Sequence, residues 1–433
     1  MILIKSKITT TLPGPKSSKI LSQLKKLNIG FSGAYPFVHS KEGSGCYFKD
    51  IDNNVFLDFA SQIGSNPLGY NHHDLNEIIK KYKKHPIKYA GQDFTIEEHL
   101  TLLKELTSIT PPGLNSAFLI NSGAEAVENS IKLALRKQKQ AKYGISFEGA
   151  FHGRTLGALS CTNSKSVHKK NFFSIPVKRL PFNENAIDSL NRILRQESSS
   201  QEIGFIIIEP IQGEGGYNIA PQKLVKEIRK ITQAQNIPFI SDEVQSGLGR
   251  TGKWWAIQNF NVKPDIMSSA KALQVGATIA NKSFIPEQGT VSSTWGGGNS
   301  LDLAIGTQTI KTIKKRKLLN NINKQGAYIK KRLQELENKN LISKARGLGL
   351  MIGFDLPNVK IRNNFIIECL KNGLVLLGCG EKSVRVIPPY IINKQEIDEA
   401  MSIIHSSLKK IFNPRFQHYG PICNYLTCGE TVS

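Results

Sequence analysis

Asp242 closes the apolar run Ile237-Pro-Phe-Ile-Ser-Asp242, and about thirty residues later Lys271 ends the small, weakly polar stretch Pro264-Asp-Ile-Met-Ser-Ser-Ala-Lys271. A lysine amine forms a Schiff base with an aldehyde, and a buried carboxylate keeps a pyridine nitrogen protonated so that the ring draws electrons. A pyridoxal phosphate site requires both. Neither residue is diagnostic alone. Lysines and arginines number 57, and any one lysine is most often a solvated surface cation.

Two more segments offer groups that such a cofactor needs. The stretch from Ala117 to Leu135 reads as a short strand, a turn at Ser122-Gly123 and an amphipathic helix with Ala124, Val127, Ile131 and Ala134 on one face. Backbone N–H groups at a helix start, with a glycine permitting close approach, suit a phosphate dianion. An ordinary strand-to-helix turn has the same pattern. Gly149-Ala-Phe-His-Gly-Arg-Thr155 offers Phe151 as a flat face for a ring and Arg154 as a cation beside it, although an isolated aromatic is more often core.

Further motifs follow in order: SGAEAVEN at 122–129, GAFHGRT at 149–155, EPIQGEGG at 209–216, DEVQSGLGRTGKWWA at 242–256, Lys271, STWGGGN at 293–299 and VRVIPP at 384–389. This series resembles the class III aminotransferases of the fold type I pyridoxal phosphate enzymes, from about Leu12 to Ile411. Within that family, PGPKSSKILSQLK at 13–25, SQIGSNPLGY at 61–70 and LGCGEKSVRV at 377–386 resemble the 4-aminobutyrate aminotransferases of the eukaryotic type. AKALQVG at 270–276 and STWGGGN are similar to the L-lysine 6-aminotransferases.

The resemblance implies a role for each site residue. Asp242 pairs with the pyridinium nitrogen through a charge-assisted bond, Gln245 reaches the phenolic oxygen and Phe151 stacks on the ring. Ser122, Gly123 and Ala124 hold the phosphate in one subunit, and Thr294 reaches it from the other subunit of a homodimer. Lys271 holds the cofactor and then, released by substrate, moves the proton between substrate and cofactor. Arg154 forks the carboxylate remote from the chemistry. Glu214 neutralises Arg385 while the donor is bound and swings away when the 2-oxo acid brings its own carboxylate, since an arginine left unpaired in a desolvated site is costly. Glu209 lies near substrate and cofactor.

Some positions depart from the pattern. Animal 4-aminobutyrate aminotransferases carry cysteines at the phosphate turn that hold an iron–sulfur cluster, whereas this chain reads Asn121-Ser122-Gly123-Ala124, so no cluster is expected. Many relatives have a glycine-rich run after the lysine; here it is Leu273-Gln274-Val275-Gly276. Two glycine patterns are decoys: Gly247-x-Gly249-x-x-Gly252 lacks the acidic residue that takes a ribose, and Gly247-x4-Gly252-Lys253 is followed by Trp254 in place of a magnesium-binding hydroxyl.

The elements that must position these groups alternate as strand and helix from about 63 to 305, with apolar strands near 117–121, 204–208 and 237–241. That alternation predicts an α/β fold, a largely parallel sheet covered by helices. The large cofactor-binding domain is expected over 63–305, and a smaller α+β domain is expected from 1–62 and 306–411, leaving a tail at 412–433 with no assigned role. Thr95-Ile-Glu-Glu98 fits a capping box opening a helix near 95–108, and the last helix is expected near 394–411.

The chain has 433 residues and 39% hydrophobic content, ordinary for a globular enzyme with two cores. Its apolar stretches are strand-sized and Met1-Ile-Leu-Ile-Lys-Ser-Lys lacks a signal-peptide core, so a cytoplasmic location and no membrane partner are expected. Cys46, Cys161, Cys369, Cys379, Cys423 and Cys428 show no metal spacing, and His72-His73 reads as a loop before a helix near 74–84, so no metal is expected. The net charge of +23 raises nucleic acid as a partner. The lysines, however, spread over helix faces such as Lys80-Lys81-Tyr82-Lys83-Lys84 without interleaved aromatic platforms. Attraction of anionic substrates is the reading kept.

These readings converge on a homodimeric transaminase moving the ω-amino group of 4-aminobutyrate to 2-oxoglutarate by a ping-pong mechanism, giving succinate semialdehyde and glutamate. L-Lysine is the next donor, and ornithine or acetylornithine the third. A racemase on the same fold and an inactive binding relative are the rivals from other classes.

Overall fold

The computed structural model describes residues 5–30, 35–86, 88–89, 91, 93–292, 297 and 299–417. The chain forms two compact units, Met1–His72 with Asn320–Ser433, and His73–Leu319. Along the chain, the strands of the first unit's opening piece are β1 (His39–Ser44), β2 (Tyr47–Asp50) and β3 (Val55–Asp58). The second unit holds β4 (Ser116–Ile120), β5 (Tyr143–Phe147), β6 (Val177–Leu180), β7 (Ile203–Ile208), β8 (Phe239–Asp242), β9 (Ile266–Ser269) and β10 (Gly276–Ala280). The closing piece of the first unit adds β11 (Ser343–Leu348), β12 (Met351–Asp355), β13 (Leu374–Val375), β14 (Leu377–Cys379) and β15 (Ser383–Val386).

In the second unit the strands form one seven-stranded sheet in the order β4-β10-β9-β8-β7-β5-β6. Neighbours from β9 to β6 pair in parallel, and β10 runs antiparallel to both β9 and β4. Covered faces explain the composition: every residue of β7, Ile-Gly-Phe-Ile-Ile-Ile, is buried, as a central parallel strand requires. The helix Gly123–Lys137 lays Val127, Ile131 and Ala134 against Phe205, Ile207, Ile240 and Ile266. Three of the four predicted apolar positions are therefore core, while Ala124, at the first turn, is half-buried.

The first unit carries two four-stranded sheets, β1-β2-β3-β13 and β11-β12-β15-β14. Its last helix, Lys394–Ile411, starts as predicted, with Asn393 Oδ1 accepting from Glu396 N at 3.0 Å and Glu396 Oε2 accepting from Asn393 N at 2.9 Å. The backbone is left-handed over four residues, with φ of 46°, 48°, 61° and 83° at Ser61, Gln62, Ile63 and Gly64. Asp58 holds the start of that turn, its Oδ1 accepting from Ala60 N at 2.8 Å and Ser61 N at 2.7 Å.

One boundary differs from expectation. The helix predicted from Thr95 begins at Glu97, with Ile96 in the capping position and His99 Nδ1 accepting from Ile96 N at 3.4 Å. Glu98 accepts from the hydroxyl of Tyr82. Among the described residues no helix is long and apolar enough to cross a membrane.

Candidate active site

Asp242 is the last residue of β8 and is buried. Its Oδ2 lies 2.7 Å from Nδ1 of His152, and its Oδ1 accepts from Val244 N at 3.0 Å. His152 is fixed in turn by its backbone N–H, which donates to Thr162 Oγ1 at 2.9 Å. A carboxylate only accepts, so Nδ1 carries the proton on that edge of the ring. The imidazole is fully buried, and its Nε2 has no hydrogen-bond partner among the described residues. The motif resemblance assigns His152 no role, although it sits between Phe151 and Arg154 in the same motif. A histidine flanked by two assigned residues was the available signal.

Strand pairing sets Asp242 opposite Ser268 of β9, and Lys271 follows two residues after β9 ends. Lys271 is half-buried and opens a short 3₁₀ turn with φ of 48°. Gln274 closes it with φ of 71°. Left-handed backbone at residues other than glycine costs about 1–3 kcal/mol and gathers at functional sites. Leu273 anchors the turn: it is buried, and a Cβ at Gly306 of the helix Ser300–Lys315 would lie 2.5 Å from its carbonyl oxygen.

The predicted phosphate turn meets both of these segments. Ser122 caps the helix Gly123–Lys137, its Oγ accepting from Glu125 N at 3.3 Å. A Cβ at Gly123 would stand 2.7 Å from Val244 Cγ1 and 3.4 Å from Ala270 Cβ. At Gly153, where φ is +133°, a Cβ would stand 2.8 Å from Ala124 Cβ. The turn at 122–124 thus touches the segment after Asp242, the residue before Lys271 and the loop bearing Phe151, His152 and Arg154. Glycines at 123 and 153 are what permit this approach.

Phe151 is half-buried, and the Arg154 guanidinium stands 5.7 Å from its ring centroid. His168 meets the same ring edge-on at 5.8 Å. Burial lowers the pKa of His168, as do the cations Arg154 and Lys165, while nearby Glu214 acts in the opposite sense. Glu209 accepts from Phe151 N at 2.8 Å and Gly213 N at 2.9 Å. Burial pushes its carboxyl up to about 7; His152 and those two N–H donors pull it down, and Asp242 pushes it further up. Gln245 is adjacent: a Cβ at Gly213 would lie 2.6 Å from Gln245 Oε1 and 3.5 Å from Glu209 Oε2. That Gln245 oxygen is buried without a hydrogen-bond partner among the described residues.

This set fits pyridoxal phosphate. It offers a buried carboxylate for a ring nitrogen, an aromatic face, an N-terminal helix turn with its glycine for a phosphate, a lysine beside that turn, and the Gln245 side-chain amide beside Glu209. Two expected members are not among the residues brought together here. Arg385 belongs to the other compact unit, fully buried on β15, where its Nε and Nη2 donate to Gly378 O at 3.1 and 2.9 Å. Thr294 lies outside the described residues. No group of three or more His, Cys, Asp or Glu side chains suited to a metal occurs among the described residues.

Residues 32–408 match the family model for Aminotransferase class-III. Acetylornithine aminotransferase of Archaeoglobus fulgidus is 34% identical, across 84% of this chain and 94% of that protein. The mitochondrial 4-aminobutyrate aminotransferase of Mus musculus is 30% identical, across 92% of this chain and 90% of that protein. Lysine aminotransferase from M. tuberculosis superposes with a TM-score of 0.85 at 26% identity, across 93% of this chain and all of that structure.

Proposed function

Because this chain belongs to the class-III aminotransferase family, we propose that it takes the ω-amino group of 4-aminobutyrate and passes it to 2-oxoglutarate, in a ping-pong cycle that releases succinate semialdehyde and glutamate. The family depends on pyridoxal phosphate, which when bound supplies an electron sink for the substrate carbon that loses its proton.

The chain's own residues supply the rest. Lys271 Nζ would take the proton off that carbon and deliver it to the cofactor. Asp242 keeps the ring nitrogen protonated; each of its oxygens already accepts one bond, from His152 or Val244, and each retains a second acceptor position for that purpose. His152 stops the carboxylate from rotating. Gln245 offers its amide to the phenolic oxygen, Ser122, Gly123 and Ala124 hold the phosphate, and Phe151 covers the ring. Glu209 fixes the Phe151 and Gly213 backbone through its two accepted bonds. In a homodimer, Thr294 of the second subunit adds to the phosphate contacts. Glu214 and Arg385 form the switch between an amine donor with no carboxylate at the reacting carbon and a 2-oxo acid that has one.

The observation that carries the donor choice is the Arg154 guanidinium 5.7 Å from the Phe151 ring centroid. An arginine beside that ring can take the far carboxylate of a short ω-amino acid whose amine lies over a ring stacked on Phe151. L-Lysine is longer and brings an α-ammonium whose burial without an acceptor costs several kcal/mol. A second reading, an N-acetylated ornithine donor, is supported by the 34% identity to acetylornithine aminotransferase; its acetamido group is neutral and escapes most of that cost.

The test is a donor panel with 2-oxoglutarate, read as glutamate formed. The expected kcat/KM for 4-aminobutyrate exceeds those for L-lysine and acetylornithine by about tenfold or more, which needs only about 1.4 kcal/mol of differential binding. A maximum at acetylornithine would select the second reading, and glutamate from no donor would remove 2-oxoglutarate as acceptor.

A further inference from the structure

Gln274 occupies a position that glycine could fill without strain. Its φ is 71°, its side chain is exposed and its neighbours Leu273 and Val275 are buried, so packing gives no reason for a long polar side chain there. The structure supplies another reason. Lys271 O accepts from Gln274 N at 2.9 Å, closing the turn, and also from Gln274 Nε2 at 3.2 Å. One residue therefore grips the carbonyl of Lys271 twice, and Lys271 is itself held at φ of 48°. Ala270, the residue before it, faces the phosphate turn at Gly123. Any rotation of the Lys271 peptide displaces the side chain relative to that turn.

We propose that Gln274 is a positioning residue for Lys271. Its side-chain amide locks the left-handed turn so that Nζ, after each release, returns to one place. The inference rests on the reading of Lys271 as the lysine that carries the cofactor. A backbone clamp acts on the rate of proton movement and on the titration of the lysine link, and hardly on the affinity for donor.

The holoenzyme, Gln274→Gly and Gln274→Asn are compared by steady-state kinetics, thermal unfolding and pH titration of the visible cofactor band. Glycine relieves the left-handed backbone, and asparagine tolerates it while falling one methylene short of the carbonyl. Both variants are expected to lose about fivefold or more in kcat, with the donor KM held within about twofold. The pH midpoint of the band shifts in both, and the thermal midpoint of Gln274→Gly stays level or rises. Unchanged kcat and band midpoint in Gln274→Gly would overturn the proposal, as would parallel losses of thermal midpoint and activity, which mark a merely structural role. Borohydride reduction and peptide mapping of the wild-type protein separate the two levels. Cofactor found on another lysine defeats the underlying reading; cofactor on Lys271 with unaffected variants defeats only the role of Gln274.

Discussion

At the scale of single residues, the site is governed by buried charge. Asp242 is held by His152 at 2.7 Å, so Asp242→Asn keeps the shape while removing the charge proposed to hold the ring proton. Both half-reactions should slow by about 10²–10³, the value of a preorganised electrostatic contact worth roughly 2.7–4 kcal/mol; stopped-flow traces of each half-reaction check this. Near-normal rates would mean that another group supports the ring. Glu209 gives a prediction for stability. Its carboxyl rises from 4.5 to about 7 mainly through burial, so the folded state holds the proton more tightly than the unfolded chain. The resulting stability is complete below the ordinary carboxyl value and is lost as pH rises through about 7, a change of about 3 kcal/mol. Urea unfolding of the cofactor-free protein between about pH 4.5 and 8 should give a falling profile that is flatter in Glu209→Gln. Some slope should persist, because burial pushes Glu243 up to about 7 as well. Identical profiles for the two proteins would show that Glu209 is not the source.

At the scale of elements, the site exists because strand ends and a helix start meet with no room for side chains between them. A Cβ at Gly123 would come within 2.7 Å of Val244 Cγ1. The backbone there needs no glycine for its φ, so Gly123→Ala tests close packing alone. Overpacking of this kind costs about 1–3 kcal/mol, and the displaced turn should weaken cofactor retention more than it lowers the thermal midpoint of the cofactor-free protein. Gel filtration with absorbance of the retained band measures the first and calorimetry the second. Full retention in the variant would place the phosphate elsewhere. The helix Gly123–Lys137 behaved as its sequence pattern predicts, since burial of Val127, Ile131 and Ala134 follows from periodicity. The helix expected near 95–108 is present as Glu97–Thr107, starting two residues after Thr95, and Glu98 takes the hydroxyl of Tyr82.

At the scale of the whole molecule, the net charge of +23 acts on everything anionic that approaches. A 2-oxo dicarboxylate should feel it more than a zwitterionic donor of zero net charge. Raising salt from about 20 to 300 mM should therefore lower kcat/KM for 2-oxoglutarate severalfold while that for 4-aminobutyrate changes less, since the Debye length falls below 10 Å over that range. Equal responses would reduce the charge to a property of the surface with no part in capture.

In the sequence alone, the family and the cofactor were legible through the resemblance of seven motifs in one order to a known family, and the α/β architecture through the alternation of apolar strands with amphipathic helices. Such local patterns survive translation into structure because strand and helix periods are properties of the backbone. Tertiary structure decided what lies between the motifs. The Asp242–His152 pair joins residues 90 positions apart, and no local period encodes it. The raised carboxyl of Glu209 depends on a burial that a sequence string does not state. The turn from Lys271 to Gln274, with left-handed backbone at both ends, lies between β9 and β10 with Leu273 packed against Gly306 of the helix Ser300–Lys315, and a conformation supported from outside a segment leaves no periodic trace within it.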